Sequence, residues 1–119
     1  MLRPERKKGK GKSMRIERGN KYSNRKVEVD GITFHSKKEG KRYQELSILD
    51  KAGVIQTLEL QPRYPMVIND RKVTTYVADF RYTEDGKTVV EDTKGFKTNV
   101  YKLKKKLMLA LYDIEIKET

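Results

Sequence analysis

Alternating apolar and polar residues predict several short β-strands in this chain. Residues 27–34, VEVDGITF, alternate on both sides of an Asp-Gly pair, and residues 76–95 do so around a second Asp-Gly pair. Asp-Gly between two alternating runs is a strong signal for a two-residue turn, so both segments are predicted to be β-hairpins. Residues 54–68 predict another strand, interrupted at Pro62 and Pro65 because proline removes a backbone hydrogen-bond donor.

Two segments carry helical signals. One begins with Ser36-x-x-Glu39, a capping box, and ends at Gly53, which predicts a helix over 37–52. The other, 99–113, is predicted to be an amphipathic helix because its lysines and its apolar residues fall on different faces. The apolar face holds Val100, Leu103, Leu107 and Ala110.

A last short strand is predicted at 114–116, after the second helix. The predicted order is therefore β-β-α-β-β-β-α-β. This order indicates an α/β (α+β) fold in which a mixed β-sheet is flanked by helices.

Composition excludes several classes of protein. The chain has no cysteine and one histidine, His35, which excludes disulfides, thiolate metal sites and a histidine-rich zinc site. His35 is expected at the surface, beside the helix cap. The longest apolar run, 107–112, is far shorter than the ~20 residues that span a bilayer, so a soluble intracellular protein is expected. The formal net charge of +11 indicates a polyanionic partner.

Most of the positive charge lies near the start of the chain. The first 26 residues hold eleven basic and two acidic residues and few apolar ones. Residues 1–24 are therefore predicted to be a flexible basic arm, and residues 25–119 a folded domain. Such an arm is typical of nucleic-acid binding, with a solubilising tail as the alternative. The candidate DNA-binding residues of the arm and the second helix are Lys7, Lys8, Lys10, Lys12, Arg15, Arg18, Lys102 and Lys105.

The second hairpin is predicted to place two carboxylates side by side. With the Asp-Gly pair as its turn, the register sets Phe80 opposite Glu91 and Asp79 opposite Asp92. Like charges on adjacent strands destabilise a hairpin. Mg²⁺ takes oxygen ligands and often sits on one or two carboxylates, so the two aspartates are candidate metal ligands. Lys94 is predicted on the same face, where its ammonium can hold a phosphate oxygen or orient a water molecule.

The same residues allow other interpretations. The aspartates can be the solvated face of an antiparallel sheet, neutralised by nearby basic residues. A one-residue bulge would bring Glu91 to Asp79 instead, so Glu91 is the reserve ligand. The register also puts Tyr76 and Ala78 on the face of the sheet opposite to Asp92.

The pattern of Asp79 followed, after twelve residues, by Asp92-Thr93-Lys94 resembles the signature of the PD-(D/E)XK nuclease superfamily. Restriction enzymes and Holliday junction resolvases are members of it. The likeness covers residues 20–118, which are similar to a family of small phage-encoded endonucleases and to the N-terminal domain of the transposon end-cleaving endonuclease. Two features depart from the pattern: alanine stands where proline usually precedes the first aspartate, and the Gln-x-x-x-Tyr motif of RecB-like members is absent.

The resemblance implies a restriction-endonuclease-like fold and a role for each matching residue. Asp79 and Asp92 would bind Mg²⁺, for which Mn²⁺ can substitute. Thr93 would offer its backbone carbonyl to the metal, and Lys94 would assist the attacking water.

Two further residues have two interpretations each. Glu39 would match the helix acid of the superfamily as a metal ligand, and its spacing from Tyr43 and Leu46 puts it on the buried stripe of the helix. Within the capping box Glu39 would instead accept a hydrogen bond from the Ser36 amide. Gln61 either lines the site from the neighbouring strand or is a polar group of an edge strand.

Together these observations predict a Mg²⁺-dependent DNA endonuclease that hydrolyses phosphodiester bonds. The resemblance implies a phage- or prophage-encoded protein in the cytoplasm of a bacterial host, acting in DNA recombination, repair or processing. Many members of the superfamily act as dimers, so a homodimer remains open. The alternative is a non-catalytic nucleic-acid-binding accessory protein whose acidic cluster is structural.

Deleting residues 1–24 is expected to weaken DNA binding and its dependence on salt. The deletion removes nine basic and two acidic residues, and phosphate contacts drive binding by releasing counterions. If the arm makes about four phosphate contacts, the slope of log K against log salt should fall by roughly 3 to 4 units. Anisotropy titrations of labelled DNA at several salt concentrations measure this slope, and an unchanged slope would identify the arm as a solubilising tail.

Overall fold

The structure, a computed structural model, describes residues 26–119. The predicted arm lies outside these residues, as do its candidate DNA-binding residues Lys7, Lys8, Lys10, Lys12, Arg15 and Arg18. The described residues divide into two compact units, residues 26–49 and residues 50–119. No helix within the described residues is long and apolar enough to cross a membrane. The elements are β1 (Val27–Val29), β2 (Ile32–Phe34), α1 (Lys37–Lys51), β3 (Gln56–Leu60), β4 (Arg63–Ile68), β5 (Arg71–Val77), β6 (Phe80–Glu84), β7 (Lys87–Asp92), α2 (Asn99–Tyr112) and β8 (Lys117–Glu118).

In the first unit a β-hairpin precedes α1, as predicted. β1 and β2 pair antiparallel, with Val27 opposite Phe34. Asp30 and Gly31 have φ angles of 54° and 77°, and a type I′ turn requires positive φ at both central residues. Gly40 of α1 lies so close to the hairpin that a Cβ atom would come within 2.7 Å of Val27 Cγ2. A larger residue at this position would push the helix and the hairpin apart.

The ends of α1 follow the predicted capping signals. Ser36 Oγ accepts a hydrogen bond from the Glu39 backbone N–H at 3.1 Å, which satisfies one of the donors that the first turn of a helix leaves without a helical partner. Gly53, with a φ of 79°, follows the last turn. The helix predicted over 37–52 is therefore confirmed as Lys37–Lys51.

In the second unit a four-stranded sheet and a two-stranded ribbon pack with α2 around one core. The sheet has the order β3-β6-β7-β8, and β4 and β5 form the ribbon. β8 is parallel to β7 and the other pairs are antiparallel, so the predicted mixed sheet and α+β class are confirmed. The buried side chains of this core are Tyr64, Met66, Tyr76, Ala78, Val90, Tyr101, Met108 and Ile116.

Two segments predicted as single strands are each divided in two, so the described residues hold ten elements instead of eight. The strand expected at 54–68 becomes β3 and β4, and the first strand of the second hairpin becomes β5 and β6. The segment between β3 and β4 is joined to the segment between β5 and β6 by two hydrogen bonds. These run from Gln61 N to Asp79 O at 2.9 Å and from Ala78 N to Pro62 O at 3.1 Å. Pro62 has no N–H to continue the ladder, and Gln61 has a φ of 53°, so both strands bend at the same place.

α2 packs through a face next to the predicted one. Its bounds, Asn99–Tyr112, agree with the expected 99–113, and its buried residues are Tyr101 and Met108. Val100 and Leu103, which belong to the predicted apolar face, are 62% and 58% exposed. Leu107, of the same predicted face, packs against the core. The periodicity therefore identified the helix but only part of the side that it buries.

The last strand lies beyond its predicted position. Asp113 ends α2 in the left-handed conformation, with a φ of 58°. The expected strand at 114–116 is wrong: this segment has no regular structure, Ile116 is buried in the core, and β8 is Lys117–Glu118. A two-residue parallel strand is specified by its partner, β7, more than by its own sequence.

Replacing Ser36 by alanine is expected to lower the free energy of unfolding by ~1 kcal/mol, because the Glu39 N–H then loses its side-chain acceptor. Urea denaturation followed by circular dichroism measures this change. A Ser36→Ala protein as stable as the wild type would show that water replaces the cap without loss.

Glu39→Gln is the matched variant, because glutamine can also accept the reciprocal hydrogen bond of a capping box. We expect its unfolding free energy to stay within a few tenths of a kcal/mol of the wild type if capping is the role of Glu39. A ligand role would appear separately, as lost metal-dependent cleavage with unchanged stability.

Candidate active site

Asp79 occupies the point where β5 ends and β6 begins. Its N–H donates to the Glu91 carbonyl at 3.1 Å, while the next residue, Phe80, is the ladder partner of Glu91. Two residues of one strand therefore face one residue of the other, which is the count of a β-bulge. Asp79 Oδ2 also accepts a hydrogen bond from Thr93 N at 2.7 Å. These bonds hold the Asp79 carboxylate at the end of β7.

The predicted hairpin register is confirmed as far as the bulge. Tyr82 lies opposite Val89 and Phe80 opposite Glu91. The ladder stops there, so Asp79 and Asp92 are not a regular cross-strand pair. Their carboxyl groups nevertheless lie within hydrogen-bonding reach of each other. The predicted juxtaposition of the two acids is present and is made by the bulge instead of the ladder.

The bulge also corrects the predicted faces of the sheet. Tyr76 and Ala78 lie in the core with Val90, and the Tyr76 hydroxyl donates to Asp92 Oδ2. They share the side of Asp92, contrary to the prediction, because the extra residue at Asp79 shifts the alternation by one.

Asp92 is a buried carboxyl group, only 1% exposed. Burial, and after it the neighbouring Asp79 charge, raise its pKa from the ordinary 3.8 to about 7. The Lys94 ammonium, 3.6 Å from Asp92 Oδ2, and the Tyr76 hydroxyl act in the opposite direction because they stabilise the charged form. Burial and Asp79 therefore favour the protonated form of Asp92, whereas Lys94 and Tyr76 favour its carboxylate form.

Glu91, the predicted reserve ligand, is directed elsewhere. Its side chain is fully buried, accepts a hydrogen bond from the Tyr82 hydroxyl and lies 3.9 Å from Lys117 Nζ. The bulge brings the Glu91 backbone to Asp79, while the side chain that reaches Asp79 is that of Asp92. These contacts favour Asp92 as the second carboxylate of the site.

Lys94 follows β7 in the connection to α2. Its Nζ lies 4.6 Å from the centroid of the Tyr101 ring and, as above, beside Asp92. Thr93 uses its N–H for Asp79 and places its Oγ1 3.2 Å from Thr119 Oγ1, and Thr119 N donates to the Asp92 carbonyl at 3.1 Å. The predicted Asp-x-Lys motif is thus brought together with Asp79 and is bordered by the last residues of the chain.

Gln61 adjoins the same place through its backbone. The hydrogen bond from its N–H to the Asp79 carbonyl, described above, puts this half-buried residue next to Asp79. This position favours the site-lining interpretation of Gln61.

The remaining predicted residues belong to α1, to the segment just before it, and to α2. Glu39, 7% exposed, is in the first turn of α1 in the first unit, and His35 is exposed just before that helix, as expected. On α2, Lys102 is exposed, whereas Lys105 donates to Glu118 Oε2 at 3.0 Å. Lys105 is therefore paired with an acid, which weakens its assignment to DNA.

Three residues that contact the site were not predicted: Tyr76, Tyr101 and Glu118. Tyr76 was assigned to the wrong face, for the reason given above. Tyr101 OH donates to Glu118 Oε2 at 2.9 Å, and Glu118 is the parallel ladder partner of Asp92. No local signal in the sequence indicates this pairing, because it depends on a strand that joins the sheet from the far end of the chain.

The donor set can be compared with what metal ions require. Within residues 26–119 no group of three or more histidine or acidic side chains is suited to a metal ion. A pair of carboxylates is a common protein contribution to Mg²⁺, which completes its octahedron with water and phosphate oxygens. The contact between a buried acid and a second acid fits such an ion, since a cation would relieve their repulsion.

In metal-free buffer, stability is expected to fall as the pH rises from about 4 to 7. The folded protein keeps a proton on Asp92 up to about pH 7, whereas the unfolded chain releases it near pH 3.8, so deprotonation favours unfolding in this window. At about 1.4 kcal/mol per pKa unit, the loss is at most ~4 kcal/mol. Urea denaturation of wild type and Asp92→Asn at pH 5 and pH 8 measures it.

Asp92→Asn should remove most of this fall, since asparagine does not titrate. Asp50→Asn, at an exposed position of α1, is the matched control and should keep it. Equal pH dependence in wild type and Asp92→Asn would contradict a raised pKa at Asp92.

Comparison with known proteins gives a family but no activity. No curated protein matches the chain. Residues 19–119 match the family described as "Protein of unknown function (DUF1064)". The match covers the whole described chain, including both units and the site around Asp79 and Asp92. The chain therefore belongs to the DUF1064 family of proteins of unknown function.

Proposed function

We propose that this protein is a Mg²⁺-dependent DNA endonuclease that hydrolyses phosphodiester bonds. The observation that carries the proposal is the contact between the Asp79 and Asp92 carboxyl groups with the Lys94 ammonium 3.6 Å from Asp92. Two acids and a lysine at one end of a sheet form a set of groups that can bind a metal ion and stabilise a phosphorane-like transition state.

Asp79 and Asp92 would hold the metal ion, with the backbone carbonyl of Thr93 as a further oxygen. When bound, Mg²⁺ supplies a Lewis acid and lowers the pKa of its water ligands. The protein prepares the ligands: the Thr93 N–H fixes one oxygen of Asp79, and the Tyr76 hydroxyl fixes one oxygen of Asp92. Both carboxylates are thus oriented by hydrogen bonds, as metal ligands commonly are.

Lys94 contributes a positive charge beside the two carboxylates. Its ammonium can hold a non-bridging phosphate oxygen or orient the water that attacks phosphorus, and either contact strengthens as negative charge develops. In the reaction a water oxygen bonds to phosphorus, the bond from phosphorus to the leaving sugar oxygen breaks, and the leaving oxygen takes up a proton. The products are a phosphate monoester and a hydroxyl end.

A polyanionic substrate is supported by the charge of the chain, which is +11 overall. Phosphate contacts by lysine and arginine dominate the affinity of proteins for nucleic acids. The basic segment that precedes residue 26 and exposed Lys102 would hold the backbone while the site cuts it. We assign the activity to DNA recombination, repair or processing on the resemblance to phage-encoded endonucleases.

A second candidate function is supported by the same hydrogen bonds. Asp79 accepts from Thr93 N and Asp92 from the Tyr76 hydroxyl, so the acids also tie β6, β7 and the ribbon together. A non-catalytic nucleic-acid-binding accessory protein would use the cluster only in this structural way.

Cleavage of plasmid and branched DNA, with and without Mg²⁺ or Mn²⁺, separates the two candidates. We expect metal-dependent nicks from the wild type, and a rate at least about 100-fold lower from Asp79→Ala, Asp92→Ala and Lys94→Ala, which each remove a ligand or a charge. Lys87→Ala, at the exposed start of β7, is the matched control and should cut normally.

One result would contradict the endonuclease, and another would contradict the site assigned to it. Binding without any cleavage across the metals and substrates would support the accessory protein, and cleavage by all three variants would place the activity at another site. Thermal unfolding with added Mg²⁺ gives a readout apart from activity, because an ion that binds only the folded state raises the midpoint. This rise should be present in the wild type and absent in Asp92→Ala.

A further inference from the structure

The aromatic ring of Tyr101 lies beside the Lys94 ammonium. This residue lies in the first turn of α2, where its N–H donates to the capping Oγ1 of Thr98 at 3.0 Å, and it is 6% exposed. The centroid of its ring is 4.6 Å from Lys94 Nζ. A cation at this distance from an aromatic ring is attracted by the negative charge on the ring face, most strongly where water is scarce.

The hydroxyl end of the same ring is anchored to β8. Tyr101 OH donates to Glu118 Oε2 at 2.9 Å. Glu118 is held in turn by Lys105 Nζ at 3.0 Å from Oε2 and by Lys97 Nζ at 3.0 Å from Oε1. Tyr101 is thus fixed at its backbone by a helix cap and at its hydroxyl by the Glu118 carboxylate, which two lysines hold in turn.

Lys94 needs such a support because of where it lies. It belongs to the irregular connection between β7 and α2, and its side chain has four rotatable bonds. The Lys94 side chain is 29% exposed, with its ammonium 3.6 Å from Asp92 Oδ2, and without further contacts the ammonium could sample positions in solvent. The Tyr101 ring and Asp92 together define one position for it.

We propose that Tyr101 is a positioning residue, whose ring holds the Lys94 ammonium against Asp92 while Glu118 holds the ring. The geometry stands on the distances above, and its consequence for cleavage rests on the proposed function. Lys97 and Lys105 bind Glu118 and so leave the place beside Asp92 to Lys94. The assignment gives β8, a strand of two residues, a direct connection to the site.

The first test observes Lys94 without requiring any activity. Protons above an aromatic ring resonate upfield, so the Lys94 side-chain methylene signals, assigned by their loss in Lys94→Arg, should be shifted upfield in the wild type. Tyr101→Phe keeps the ring and should keep most of the shift, and Tyr101→Leu should abolish it. Tyr112→Leu is the matched control, because it removes a tyrosine of the same helix whose hydroxyl bonds Pro65 O.

The second test measures the rate of cleavage at saturating DNA. Tyr101→Leu should lower kcat about tenfold, the factor expected for losing a partly desolvated cation–π contact, with KM nearly unchanged. Tyr101→Phe should restore kcat to within about threefold of the wild type, and Tyr112→Leu should cut at the wild-type rate. A structural role alone would not give rescue by phenylalanine in kcat while sparing KM.

The outcomes separate the positioning role from the proposed activity. Unshifted Lys94 signals in the wild type would overturn the positioning role, whatever the protein cuts. Shifted signals that respond to Tyr101 as expected, in a protein that cuts no DNA, would support the positioning and overturn the endonuclease. If Tyr101→Leu does not fold, the wild-type and Tyr101→Phe spectra still decide, since both keep the ring. An unchanged kcat in folded Tyr101→Leu would also overturn the proposal.

Discussion

The hydrogen bond from the Asp79 amide to the Glu91 carbonyl is the constraint on which the arrangement of the second unit depends. It ends the regular ladder between β6 and β7 and inserts one extra residue into the strand. On the other side, the Asp79 carbonyl accepts from Gln61 N, so the neighbouring strand bends at the same level. The strand before this point, β5, belongs to the ribbon, and the strand after it, β6, belongs to the four-stranded sheet. Asp79 remains at the junction, with its carboxylate turned toward Thr93 and Asp92.

The buried acids Glu91 and Asp92 each accept a hydrogen bond from a tyrosine, but their other neighbours differ. Glu91 pairs with the Tyr82 hydroxyl and Asp92 with the Tyr76 hydroxyl, which lowers the unfavourable free energy of burying a polar group without a partner. Asp92 also meets the Asp79 carboxyl group and the Lys94 ammonium, whereas Glu91 lies 3.9 Å from Lys117 Nζ. Burial and the Asp79 charge raise the pKa of Asp92, while Lys94 lowers it. Opposing effects of this kind on one carboxyl group are common at functional sites.

A large part of the fold could be predicted because its signals are local. The two Asp-Gly turns, the Ser36 cap and Gly53 each act within a few residues, and the hairpin register follows from the second turn by counting. The carboxylate pair and Lys94 followed from that register, so the approach of these three groups was anticipated even though the bulge makes the contact in another way. The errors have one origin. The face of Tyr76, the buried side of α2 and the place of β8 all depend on partners distant in the chain.

The sequence by itself determined where the chain turns, where its helices begin, and that two aspartates and a lysine approach each other at one end of a hairpin. Turn and cap residues act through their own backbone angles and nearest hydrogen bonds, so no tertiary context is needed to read them. The tertiary structure alone decided that Asp92 is buried under Tyr76, that Glu91 is directed to Tyr82, and that Tyr101 is anchored by Glu118. These choices arise from the bulge at Asp79 and from a parallel strand at the far end of the chain. Such hydrogen bonds join segments whose proximity exists only after the sheet has formed.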